Sequence, residues 1–477
     1  MHKPFFILLS ILCSLSTLAQ SEQKMFWALN GSANAFTWDN TTGNNRIDNG
    51  SGTWNTTSTN KTWTFNKGIT DLAWRPGAAA IFGGSPGTGA AGTVTVSGTQ
   101  LAQSLTFNPS ASGAFLLTGG TITNTTGNIV ANASATIAST LAGSSGLTLS
   151  GTSTITITTN PTTYTGTTTI NSGTLVLSNG TAGSLTPTLS NPIVLASGGS
   201  LGADILNGNI NLSGAISGPG TLSIAATGTQ TQSLRLYGNN SGFTGNFTEP
   251  STTRGMMWSD NAGTGNASNT GSAAAAWNLS GSFGLIETTG ATTPVVQLGS
   301  LTGTNTATTL GAFGTGTGIK TFQVGALNTN TTFAGAIQDN PQGGTAVVSL
   351  TKVGSGTLTM SGTNTYSGVT NVNAGGLTFN SIPSSNQFNI TVNATGTPTT
   401  ANSGTLTVPG ALITGIARTY NIILTGTSTG FTWTAVTWTS TNLLSPQFQL
   451  NGTAVGGNST TAGTTFTYNG TTLKISR

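Results

Sequence analysis

The side chains of this sequence whose spacing could do acid–base chemistry are its few carboxylates. Among 477 residues there are nine: Glu22, Asp39, Asp48, Asp71, Asp204, Glu249, Asp260, Glu287 and Asp339. No two are adjacent. Asp260 and Glu287 are separated by nearly the interval at which other phrases of the chain recur, so they would form a dyad if they stacked on neighbouring coils. Paired carboxylates serve as acid and base in polysaccharide hydrolysis, and related sites add Ca²⁺. The plainer alternative is two separate loop carboxylates in the least regular part of the chain. Gly198-Gly199-Ser200-Leu201-Gly202-Ala203-Asp204 approaches a calcium-binding nonapeptide but carries one residue too many and has no tandem copy. Asp204 therefore reads as a turn residue.

His2 and Cys13 are the only histidine and the only cysteine. Both fall in MHKPFFILLSILCSLSTLAQ, which reads as a secretory signal peptide over residues 1–19. Lys3 supplies the positive end, Phe5 to Leu12 the apolar stretch, and Thr17-Leu18-Ala19 the small-residue cleavage site. Ser10-Ile11-Leu12 before Cys13 lacks the leucine and small residues of a lipidation site. Cleavage would leave no thiol, disulfide or imidazole. That excludes a Ser-His-Asp triad, cysteine nucleophiles, and zinc, copper or iron sites built on His or Cys. The sequence thus assigns no catalytic residue, no cofactor-binding residue and no metal ligand, and the expectation is a protein that is not an enzyme.

Only 5% of residues are charged, and loss of Lys3 would take the formal net charge from +4 to +3. The basic residues form no run, so nucleic acid and anionic lipid are not expected partners. Beyond the opening segment no apolar run has membrane-spanning length. Low charge and 68 glycines could describe a disordered chain, but 35% of residues are hydrophobic, enough apolar surface to offset ordering. Those residues alternate with threonine, as in Thr154-Ile155-Thr156-Ile157-Thr158, the pattern of a strand with one buried and one hydroxyl-bearing side.

One phrase recurs: glycine, often threonine, then an apolar-x-apolar strand. It stands at Gly92, Gly120, Gly146, Gly173, Gly220, Gly356 and Gly404. The first four are evenly placed, at intervals of roughly 27 residues, which suggests one coil of a solenoid per repeat. GTTTINSGTLVL (166–177) aligns with GVTNVNAGGLTF (368–379), each introduced by Tyr-hydroxyl-Gly, and Phe243-Thr244-Gly245 preserves the step a third time. LSGAI (212–216) matches FAGAI (333–337). A unit of two or three short strands cannot bury its own apolar side, so it must stack on copies of itself. The expected fold is all-β, a parallel right-handed β-helix with aliphatic columns inside, and with glycine and asparagine at the corners for left-handed backbone angles.

Four divisions follow from texture. After the signal, residues 20–91 hold five of the nine tryptophans (Trp27, Trp38, Trp54, Trp63, Trp74) and are expected to be an N-terminal cap of bulky rings. Exposed, those rings could stack on sugars; buried, they would simply close the core. Repeats are expected over 92–381, and a C-terminal β cap or small sandwich over 382–477, where Trp433 and Trp438 lie.

SLTKVGSGTLTMSGTNTYSGVTNVNAGGLTF (349–379) closely resembles the autotransporter-associated β-strand repeat, with Lys-x-Gly-x-Gly-Thr-Leu-Thr, then Ser-Gly-x-Asn-Thr-Tyr-Ser-Gly, then an Asn-Ala-Gly-x-Leu strand. The resemblance implies a passenger-type β-helix exported across the outer membrane of Gram-negative bacteria. Residues 381–477 are too few for the membrane barrel of a full autotransporter, so secretion by another route, or periplasmic retention, is expected. Adhesive or structural work is the leading expectation, as a monomer, with extracellular polysaccharide or cell-surface components as partners. The rival is a β-helix that binds or degrades polysaccharide.

Overall fold

The computed structural model describes residues 35–477 except 42–43, 66, 85–88, 159–162, 180–185, 207, 225–232, 251–254, 261–266, 268, 290–291, 342, 382, 386, 409–417, 439–446, 457, 462 and 470. The opening segment and Trp27 lie outside the described residues. Those described form 41 strands and no helix, gathered in sheets of 26, 7 and 8 strands. Alternation makes them: Thr154–Ile157 and Gln387–Ala394 bury every second residue, so apolar side chains share one side and threonine and asparagine the other.

The described strands between Ala78 and Leu450 pair with one another in parallel, and each strand lies on the strand one passage earlier. The passages cross three strand tracks in a fixed order. On the first, Ile155, Leu175, Leu201, Leu222, Phe247, Trp277 and Leu301 stand in one column. On the second, the seven-stranded sheet, the column is Leu212, Leu236, Trp258, Ile286 and Ala312. On the third it is Leu298, Val324, Lys352, Val372, Ile390, Ile422 and Leu450. Apart from Lys352, all are apolar and buried. Long strands such as Thr168–Ser178 pass from the third track to the first, which fuses those tracks into the large sheet.

The glycine-led strands pair parallel, as expected, but their spacing is not the coil length. Phe115, Ala135, Ile155 and Leu175 stack directly. The interval between stacked positions in this stretch is therefore about 20 residues. The phrase at Gly92 lies on the first track, that at Gly120 on the second, that at Gly146 on the third, and that at Gly173 on the first again. Each step from one of these glycines to the next is one coil plus one track. The same phase shift separates LSGAI from FAGAI: Ile216 stacks in the large sheet and Ile337 in the seven-stranded one. All three tracks need the same local sequence, so sequence similarity alone does not say which strands stack.

Asparagine and glycine take the corners. Among the described residues, three of the four non-glycine residues with positive φ are Asn45, Asn328 and Asn451, the fourth being Lys67. Asn328 at φ 61° also accepts the Ser355 amide of the next coil at 2.8 Å. Gly375, at φ +67°, has no room for a side chain: a Cβ would sit 2.4 Å from the carbonyl oxygens of Gly354 and Gly356.

Pairing turns antiparallel only near the two ends of the described residues. Trp38 and Thr37 pair with Trp63 and Thr64, which pair with Leu72 and Asp71. At the other end the strands Thr453–Val455, Asn458–Thr461, Thr464–Tyr468 and Thr472–Ser476 are all antiparallel to their neighbours. Parallel pairing itself continues past residue 381 without a break, through Thr419–Gly426 and Gln447–Leu450.

Leu377 stands fully buried between Leu358 and Leu406, while Thr378 faces outward. Leu377→Ala is expected to lower stability by about 2–5 kcal/mol, the cost of a core cavity, and Thr378→Ala by no more than about 0.5 kcal/mol. Urea unfolding of the two variants checks this.

Candidate functional site

The structure does not bring Asp260 and Glu287 together as a dyad. Their strands are neighbours, but Ser259, not Asp260, stands opposite Glu287, and successive residues leave a strand on opposite sides. Glu287 is tied to Arg235, whose Nη1 lies 3.0 Å from both carboxylate oxygens, and to the Ser259 hydroxyl, which donates at 2.6 Å. Asp260 accepts the amide and hydroxyl of Thr289, both at 3.0 Å. Asp204 is not in a turn: it ends the strand Ile193–Asp204, opposite Ser178, and accepts the Ser178 hydroxyl at 3.0 Å. Among the described residues no group of three or more His, Cys, Asp or Glu could hold a metal ion.

The four described N-terminal tryptophans offer no sugar-stacking face. Trp38, Trp54 and Trp63 are 0% exposed and Trp74 3%. They pack on one another edge-to-face, with Trp54 and Trp74 centroids 4.9 Å apart and Trp38 and Trp63 5.2 Å apart, over Phe82. Such contacts add to the large area these rings bury.

Three ionisable side chains that composition alone gave no reason to single out point into the apolar columns. Glu249 follows Phe247 along the strand and sits opposite Leu279. Burial pushes its carboxyl well above the usual range, the nearby Gly281 amide opposing this without reaching hydrogen-bond geometry. Lys320 donates to the carbonyls of Thr292 and Thr317 at 2.7 and 2.8 Å; burial lowers its pKa, and the charge of Asp260 opposes that. Lys352, the lysine of the Lys-x-Gly-x-Gly phrase, donates to the carbonyls of Val353, Gly354 and, in the next coil, Ala374 at 2.7, 2.8 and 3.3 Å. Desolvation pushes it down to about 8. Its alkyl stem fills a column position and its ammonium ties two corners together.

The two best sequence copies build the same corner. Tyr164 and Thr168 share a buried hydroxyl–hydroxyl hydrogen bond of 2.7 Å, and Tyr366 and Thr370 share another of 2.7 Å. Burial pushes the Tyr164 phenol up to about 12 and that of Tyr366 up as well, the threonine hydrogen bond opposing it in each. In the third copy Phe243 replaces the tyrosine and Phe247 the threonine. Donor and acceptor are lost together, which leaves no buried hydroxyl unpaired.

Outward columns are polar and often mutually bonded. On the third track Thr351, Asn371, Asn389 and Asn421 stack in register. Asn389 donates to Asn371 at 2.8 Å and Asn421 to Asn389 at 3.2 Å, an amide ladder of the kind that in-register stacking permits.

A family model described as the passenger-associated-transport-repeat matches residues 140–177 and 350–379. The chain carries passenger-associated transport repeats. Both matched segments contain the Tyr–Thr corner, and the second also contains Lys352, which joins one coil to the next. No curated protein and no solved structure matches the chain.

Tyr366→Phe is expected to cost about 1–3 kcal/mol by leaving Thr370 unpaired. Adding Thr370→Val should recover part of that loss, and a double-mutant cycle on the unfolding midpoint measures it. Because the Glu249 pKa is raised on folding, its contribution to stability is complete below the unfolded value of about 4.3. That contribution is lost as pH rises through the folded value. Glu249→Leu should therefore be more stable than the parent at neutral pH, by a margin that shrinks on acidification; thermal unfolding across that range checks the sign.

Proposed function

We propose that this chain is an exported, non-enzymatic scaffold of a Gram-negative bacterium, held at the cell surface or released, with structural or adhesive work. Its body in this reading is a right-handed parallel β-helix of the passenger type, the three tracks being its faces. Residues 1–19 are removed as a signal peptide, 20–91 form the aromatic N-terminal cap, 92–381 the repeats, and 382–477 the closing β domain. The observation that carries the reading is the pair of transport repeats, each contributing the same buried corner to one parallel stack. In-register stacking over successive coils is what a solenoid requires. Antiparallel strands at both ends suit closure of otherwise open sheet edges.

A polysaccharide-degrading enzyme is the rival, and it draws little support from the geometry. Glu287 is neutralised by Arg235 and Asp260 is engaged by Thr289, whereas glycoside hydrolysis needs two carboxylates facing a common substrate. Partners in our reading are neutral polymers or cell-surface components that meet long polar faces, with the protein acting as a monomer.

Fractionation with protease shaving of intact cells tests the proposal. The protein should be recovered from the medium or be cleaved on whole cells. Recovery from the cytoplasm with its opening segment intact would overturn it.

A further inference from the structure

The outward side of the first track differs from the rest of the surface in three ways. First, it is regular: Thr302, Thr332, Thr359, Thr378, Thr407 and Thr437 stand at the same position on six successive coils. A second column two residues earlier includes Thr357 and Thr405, giving Thr-x-Thr on alternate coils. Parallel pairing repeats such groups about every 4.8 Å along the stack, and two residues of strand separate the columns by about 6.6 Å.

Second, the hydroxyls of Thr332, Thr359, Thr378, Thr407 and Thr437 make no hydrogen bond among the described residues, whereas the equivalent column on the third track is spent on its own amide ladder. Third, the two columns carry no charge. From Ser134 to Thr437 neither column contains an ionisable residue, while the second track places Arg235 and Glu287 in its sheet.

Charge complementarity therefore selects an uncharged partner, and a column of hydroxyl and methyl repeated coil after coil, doubled at Thr357 and Thr405, selects a partner with a repeat of its own. Sugar sites are concave, with aromatic platforms and a few convergent polar groups; no ring occupies either column. We propose that this face binds ordered water, and that the ligand is the surface of ice. Each threonine would supply a hydroxyl anchored in the lattice and a methyl that holds neighbouring waters in place. This goes beyond the scaffold reading and does not depend on where in the cell the protein resides.

Slow freezing of a dilute solution of the full chain, with measurement of the protein taken into the ice, tests the proposal. The parent should partition into ice. Thr378→Lys/Thr407→Lys should fall to the level of an excluded control, with unchanged circular dichroism and unfolding midpoint, and Thr321→Lys, outward on the third track, should partition as the parent does. Exclusion of the parent from ice overturns the proposal. So does equal loss in the Thr321→Lys variant, and so does retention on insoluble cellulose, lost in the Thr378→Lys/Thr407→Lys variant, without uptake into ice.

Discussion

Everything in this fold depends on like residues standing over like in parallel register. A single coil offers each track only a few residues of strand and no second layer, so its leucines and isoleucines are buried only because the coils above and below bring theirs to the same place. Once that is enforced, the inner columns become continuous, the backbone amides of each strand pair with those of the next coil, and outward residues fall into columns as well. A residue that breaks the register disturbs two interfaces at once.

Polar groups are admitted to the interior where the register provides for them. The Tyr–Thr pairs meet across a corner within one coil, Lys352 finds carbonyls from two coils, and Phe243 with Phe247 shows the alternative of removing both partners. Glu249 is different. It has an inward position and no hydrogen-bond partner among the described residues, and it lies beside the least regular segment of the stack. Stability is therefore uneven along the protein: the coils around Leu377 are apolar inside, while those around Glu249 contain a group that disfavours burial when ionised.

Much of this was legible in the sequence. The Thr-Ile-Thr-Ile alternation gives strands with one polar side, glycine and asparagine mark the corners, and the phrase at 349–379 names its own repeat. Coil length was not legible. A phrase that suits all three tracks recurs once per coil plus a third, so Gly92, Gly120 and Gly146 look equivalent in sequence and lie on different tracks. The carboxylate pair failed for a related reason. Their interval along the chain put Asp260 and Glu287 on neighbouring strands, but one position out of register, and in a strand a single step reverses the side. Lys352 belongs to the recognised phrase, yet only the stacking shows it pointing inward. The burial of Trp38, Trp54 and Trp63 follows from their mutual packing, which composition leaves open.

The central claim is the one-coil-per-layer stacking, and distances along an outward column test it most directly. Spin labels at position 156 paired with 223, 302 and 378 are three, six and nine coils apart, with similar numbers of residues in each interval. Parallel stacking predicts that the measured separations grow in equal steps of about 14 Å per three coils. Separations that stay level, or that fall as more residues intervene, would mean a chain folded back on itself in a compact sandwich and would contradict the account.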